Sequence, residues 1–294
     1  MRADYDMILS NLEKLGLVRT VRSGCARGPE KQRQRRQETR SKKMTTKILT
    51  GIGAAMLSAA VFATDGSVSS QNVVGYATKE CKAGQWYMIG CGFEDVGGKS
   101  LKLQNFVTGL EAHDNPAFIQ YWDGTRLVTY YYKNIIVDWE TWEEAPRWVD
   151  SEENEVDLTM NPGAACWFKD NAKDVNITVA GQVASTSDKE VTLSADGWHM
   201  IANPYPVSTT LNGGLVDWSG LPVDNDNPVI IQTWNGAKLV TYSYKNIIVD
   251  WETWEEAPRW VDSEENEVVY EIPVQTGFWI KSKTGGKVLW KKSK

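Results

Sequence analysis

LVTYYYKNIIVDWETWEEAPRWVDSEENEV fills residues 127–156, and the same letters return at residues 239–268 with one change, Tyr131 giving way to Ser243. The copies stand 112 positions apart, and that spacing reaches well beyond them. Asp114-Asn115-Pro116 aligns with Asp226-Asn227-Pro228, Gln120 with Gln232, Trp122 with Trp234 and Gly124 with Gly236. Upstream, Trp86-Tyr87-Met88-Ile89 aligns with Trp198-His199-Met200-Ile201; downstream, Trp167-Phe168-Lys169 aligns with Trp279-Ile280-Lys281, after which the register slips by about one residue. A repeat of this length matches a whole compact domain of about 100–150 residues and far exceeds a solenoid unit of about 20–50. The chain therefore encodes one body twice, with bounds expected at residues 64–183 and 184–294.

Within each copy, short β-rich runs alternate with turn residues. Residues 73–81 and 86–91, and residues 189–193 and 198–202, flank brief polar turns and read as a hairpin in each copy. Asp123-Gly124 and Asn235-Gly236 each join two β-rich runs, the preferred chemistry of a two-residue type I′ turn. Residues 100–109 and 212–220 are weaker, a helical turn or plain loop. Alternation in the second strand places Val128, Tyr130 and Tyr132 on one face and Leu127, Thr129 and Tyr131 on the other, which carries the Tyr131/Ser243 change and is expected to be the less buried. In residues 138–146, Asp138 suits a helix cap, acidic residues follow it and Pro146 would end the turn, so a short helical turn is expected there. Residues 165–169 with 175–183, and 277–281 with 287–290, close each copy. About six to eight short strands per repeat without a long amphipathic helix predict an all-β protein: two tandem, homologous, sandwich-like or partly closed barrel domains.

Residues 1–43 differ from all this, with twelve Lys/Arg against five Asp/Glu and no Trp. Such a run reads either as an arm for nucleic acid or a membrane surface, or as an over-extended start with Met44 the true initiator; the second reading is preferred because a signal peptide normally opens its own chain. MTTKILTGIGAAMLSAAVFA at residues 44–63 has a basic start, an apolar stretch and small residues before a cleavage point near Ala63. It predicts export to the periplasm, cell surface or medium, with no membrane span in the mature chain. Residues 64–294 hold 33 acidic against 19 basic residues and all fourteen Trp. That charge disfavours nucleic acid, which needs a positive surface. Cys81, Cys91 and Cys166 all fall in the first copy, where an oxidising compartment would leave two to pair and one over; their counterparts Leu193, Asn203 and Phe278 show that the fold does not require a disulfide.

Gly197-Trp-His-Met-Ile-Ala-Asn-Pro-Tyr-Pro206, then Ile231-Gln-Thr-Trp-Asn-Gly236, then Ile272-Pro-Val-Gln-Thr-Gly-Phe-Trp-Ile-Lys281 resemble a repeat of exported bacterial proteins in which a GWNLIGNPYP-like strand, a WDG hairpin and a PGQGFFVK-like strand recur in that order. Asn72-Val-Val-Gly-Tyr76 is similar to the way such chains begin, and the first copy departs from the pattern at Gly90-Cys91-Gly92. The resemblance implies an extracellular β-domain of unassigned activity and carries no catalytic residue.

The candidate ligand-binding residues are Trp139, Trp142, Trp148, Arg147 and Glu140, with their twins Trp251, Trp254, Trp260, Arg259 and Glu252. Flat rings beside carboxylates and a guanidinium can stack on sugar rings while bonding their hydroxyls. The competing reading gives the same indoles to a small core or to the seam between repeats. If Asp138 and Glu140 both lay in a strand they would share a face at about 7 Å, the two-carboxylate geometry of glycoside hydrolysis. His113 and His199 are the only histidines, and no nucleophile elbow, phosphate loop or zinc spacing accompanies them. The oxygen-rich segments 224–228 and 150–155 suit solvated turns better than calcium loops. The expectation is a non-catalytic binding or surface protein without cofactor or metal, whose partner is a polysaccharide or another surface protein. The alternatives are a self-associating structural component and a glycoside-active enzyme.

Overall fold

The computed structural model describes residues 74–184 and 188–292. The basic extension at 1–43, the signal peptide at 44–63 and the cleavage point near Ala63 lie outside the described residues. The chain is all-β, and among the described residues no sheet closes into a barrel. In the first half the strands are β1 (Val74–Cys81), β2 (Tyr87–Gly90), β3 (Leu101–Lys102), β4 (Phe118–Trp122), β5 (Leu127–Asp138), β6 (Glu143–Val149), β7 (Thr159–Met160), β8 (Ala165–Lys169) and β9 (Val175–Gln182), with one short helix, α1 (Leu103–Phe106). The second half runs β10 (Lys189–Leu193), β11 (Trp198–Ala202), β12 (Thr209–Thr210), β13 (Val216–Asp217), β14 (Val229–Trp234), β15 (Leu239–Asp250), β16 (Glu255–Val261), β17 (Glu271–Ile272), β18 (Gly277–Lys281) and β19 (Gly286–Trp290).

Each half is built on a five-stranded antiparallel sheet, ordered β2-β8-β4-β5-β6 in the first and β11-β18-β14-β15-β16 in the second. Because side chains alternate along a strand, each sheet has two apolar faces. In β8, Cys166 and Phe168 enter the core of the first half, which β1 and β9 cover with Cys81, Ile177 and Val179 and α1 with Leu103 and Phe106. Ala165 and Trp167 point the other way, into a seam shared with Trp198, Met200 and Trp279 of the second half.

The seam is two-fold in character. Gly90 N–H donates to the Gln275 carbonyl at 3.0 Å while Ala202 N–H donates to the Gly163 carbonyl at 2.8 Å, each residue standing 112 positions from its counterpart. Trp122 Nε1 donates to the Trp198 carbonyl and Trp234 Nε1 to the Trp86 carbonyl, both at 2.9 Å. Lys169 lies 5.5 Å over the Trp86 ring and Lys281 5.7 Å over the Trp198 ring. Equivalent positions meet each other directly. A methyl on Gly90 would overlap the Cβ of Ala202, and one on Gly277 would overlap the Cβ of Ala165. One small and one still smaller residue at each crossing let the sheets close, as in an isologous dimer written into one chain.

Three local expectations change. β1 and β2 do not form a hairpin: β1 pairs with β9 and β2 with β8, and β10 and β11 likewise pair with β19 and β18. The residues between them turn a corner from one layer to the next. Asp123-Gly124 and Asn235-Gly236 do join hairpin strands, but over four residues and without a type I′ turn. Gly124 (φ 98°) and Gly236 (φ 95°) are left-handed while Asp123 and Asn235 are not, because each side-chain Oδ1 accepts two amides, from Thr125 and Arg126 or from Ala237 and Lys238. Residues 138–146 form no helix; β5 ends at Asp138, residues 139–142 turn the chain and β6 returns from Glu143, with Pro146 on the edge strand where no ladder amide is needed.

The constant offset also conceals a difference. Leu103 N–H donates to the Leu158 carbonyl and Leu211 N–H to the Tyr270 carbonyl. Leu158 and Tyr270 are 112 apart, but Leu103 and Leu211 only 108. The first half thus spends four extra residues before that strand end and the second half four extra after it, so residues 100–109 and 212–220 are not true counterparts. Cys81, Cys91 and Cys166 are buried free thiols, and burial pushes Cys81 and Cys91 up to about 12.

Candidate functional site

The β5–β6 and β15–β16 hairpins each end in a four-residue loop, residues 139–142 and 251–254. Asp138 closes the first loop by accepting the Glu140 amide at 2.8 Å and the Thr141 amide at 3.2 Å; Asp250 does the same for Glu252 and Thr253 at 2.8 and 3.3 Å. Those amide bonds, led by Glu140 and Glu252, hold both carboxyls below the usual Asp range. A side-chain oxygen that accepts nearby amides favours turns as readily as helix starts, which explains the misread cap. The last loop residue, Trp142 or Trp254, sits at φ 56°, a left-handed conformation that bulky residues rarely adopt.

The result is an exposed indole pair at each tip. Trp139 and Trp142 are 69% and 67% exposed, Trp251 and Trp254 70% and 68%. Their ring centroids lie 5.7 and 5.8 Å apart with planes at 72° and 71°, so each pair forms two walls of a corner. Glu140 and Glu252 lie exposed in the loops, and Glu143, Glu144, Glu255 and Glu256 begin the return strands.

The remaining candidate residues are placed elsewhere. Trp148 and Trp260 are completely buried and pack on Tyr132 and Tyr244 in the two cores, so they are withdrawn from any ligand surface. Arg147 pairs in register with Lys133, four residues down the strand from Glu143 and hence about 13 Å from the tip. It meets Glu155 at 3.4 Å, and Arg259 meets Glu267 at 3.4 Å. The indoles and the guanidinium therefore do not share a site. Asp138 ends its strand and Glu140 lies in the loop, so the two carboxylates do not share a strand face as the glycosidase geometry requires. Asp150 and Asp224 spend side-chain oxygens on amides of their own loops, Glu152 and Asn154 in one, Asp226 and Asn227 in the other.

The sequence reading missed a cleft of about 450 Å³ in the second half, lined by the 212–223 excursion and by Tyr244, Arg259 and Lys291. The adjacent Gly213-Gly214 pair was its one visible sign. Among the described residues no helix is long and apolar enough to cross a membrane. Comparison of the chain with protein-family models, with curated proteins and with solved structures gives no match.

Proposed function

We propose that the protein is an exported, non-catalytic binding protein that attaches to polysaccharide through Trp139 and Trp142 and through Trp251 and Trp254. One observation carries this reading: four indoles stand in water, two of them in left-handed backbone, touching little beyond each other. Glycine would suit φ 56° better than tryptophan, and a polar residue would suit the exposure. A residue that works against local stability in both copies marks a function. Indole corners take the apolar faces of sugar rings, and the carboxylates of Glu140 and Glu252 accept bonds from the hydroxyls around them.

Charge separates this reading from self-association. Residues 127–156 carry Asp138, Glu140, Glu143, Glu144, Asp150, Glu152, Glu153 and Glu155 against Lys133 and Arg147 only. Tips of one sign repel each other, whereas a neutral polysaccharide meets no such barrier. The test is migration of the whole chain through native gels containing a neutral polysaccharide such as xylan, glucan or glycol chitin. Retardation is expected in at least one gel, and the variant with Trp139, Trp142, Trp251 and Trp254 all changed to Ala is expected to run as in a blank gel. Equal retardation of both proteins overturns the reading, and a concentration-dependent rise in mass without sugar, lost in the same variant, replaces it with self-association.

A further inference from the structure

The two halves share the order of their five-stranded sheets and nearly all of the residues of their long hairpins, yet the cleft lies where their chain paths diverge. After Leu211 the second half carries its four extra residues, and the segment 212–223 bows out over Tyr244 and Arg259 on β15 and β16. The counterparts of those two residues, Tyr132 and Arg147, are identical in type, so what sets the cleft apart is the excursion and Lys291 beside it.

The lining is built. Trp218 donates its Nε1 to the Leu211 carbonyl at 2.6 Å and packs edge-on against Trp260, which fixes the floor. Asp217 accepts the Ser219 amide at 3.0 Å and meets Lys291 at 3.2 Å, which fixes one wall. Tyr244 is 6% exposed and lines the cleft together with Asp217 and Arg259. A hydroxyl that opens into the cleft is free to donate to and accept from a molecule seated there.

The charges in the cleft identify the class of that partner. Lys291 already faces Asp217, and Arg259 already faces Glu267. An anion or a cation entering here would have to break up at least one of these ion pairs, whereas a neutral ligand bonds both with the pairs intact. A volume of about 450 Å³ lies within the range of small-molecule sites, about 300–1,000 Å³. We infer that this cleft is a second binding site, specific to the second half, for a neutral hydroxyl-rich molecule of the size of a mono- or disaccharide, oriented by the Tyr244 hydroxyl, Asp217 and Lys291 over Trp218.

The site is independent of the hairpin tips and is tested apart from them. The whole chain is titrated with the methyl glycosides of glucose, galactose, mannose and N-acetylglucosamine by saturation-transfer NMR, with glucuronate and glucosamine as charged analogues. A saturable signal is expected from at least one neutral glycoside, and a weaker one from both charged analogues. Tyr244→Phe is expected to weaken binding about tenfold, the loss of one hydrogen bond. Gly214→Phe is expected to weaken it further, since Gly214 lines the cleft and a Cβ there meets no atom within 4 Å, so a bulky side chain can be added at the cleft wall. Each of these variants is made in the chain whose four tip tryptophans are already Ala, so that any saturable signal comes from the cleft, and Tyr132→Phe leaves that signal unchanged. Absence of any saturable neutral sugar, tighter binding of a charged analogue, or full binding by Tyr244→Phe and Gly214→Phe overturns the inference.

Discussion

Trp142 and Trp148 are six residues apart in a stretch that the chain repeats almost letter for letter, and their physical situations are opposite. Trp142 is held left-handed in water; Trp148 is completely buried against Tyr132. Replacing Trp142 and Trp254 by Gly removes two edge-to-face contacts but relieves two strained backbones, terms of about 1 kcal/mol each and opposite in sign. Urea unfolding of the double variant is therefore expected to match the parent within about 1 kcal/mol, while retention on polysaccharide is lost. Trp148→Ala or Trp260→Ala, by contrast, leaves a large cavity and is expected to cost about 3–5 kcal/mol in the same measurement. Composition alone could not tell these indoles apart, since burial depends on which side of a hairpin loop each falls. The Tyr131/Ser243 change was easier to place: Thr241 on its face is exposed while Tyr244 on the opposite face is buried.

At the scale of elements, the hairpins were legible because both partners of each pair lie close in sequence. Strands 117–122 and 125–132 fall on β4 and β5 within a few residues, and 277–281 matches β18. The pairing of β1 was not legible, for Val74 meets Gln182 across the whole first half, and nothing in either strand names the other. The loops, too, depend on side chains rather than on backbone propensity. Asp123 and Asp217 are held down at about 2 by hydrogen bonds, led by the hydroxyls of Thr125 and Ser219, and Asp138, Asp150, Asp250 and Asp262 are lowered by their loop amides. A carboxyl whose folded value lies below its ordinary 3.8 adds stability above that pH and loses it as pH falls toward the folded value. The melting temperature is thus expected to hold between about pH 7 and pH 5 and to drop from about pH 4 to pH 2. Asp123→Asn is expected to make that drop shallower by lowering stability modestly at neutral pH, while the loop still closes, because Asn235 holds the equivalent loop with the same two amides. A melting temperature that stayed level down to about pH 2 would contradict this source of stability.

For the molecule as a whole, the duplication was visible in the letters, but the two-fold seam was not. Gly90 opposite Ala202 and Ala165 opposite Gly277 look unremarkable in sequence, and only the meeting of equivalent positions shows that each pair sits on the axis. Compensating four-residue differences hid one place where the copies diverge, and with it the cleft. Gly90→Ala is expected to cost about 1–3 kcal/mol through overpacking. Gly90→Ala combined with Ala202→Gly exchanges the two residues across the axis and is expected to recover most of that loss in a double-mutant cycle. Additive losses would mean that the seam lacks this symmetry.

Under the proposed function, two equivalent tips in one chain would make it bivalent toward a repeating polymer. The most direct measurement is the affinity for one immobilised polysaccharide of the intact chain, of Trp139→Ala/Trp142→Ala, of Trp251→Ala/Trp254→Ala, and of the fourfold variant. Both single-tip variants are expected to bind alike and about tenfold or more weakly than the intact chain, with the fourfold variant not retained. Retention of the fourfold variant at the affinity of the intact chain would contradict the assignment of binding to the exposed tryptophans.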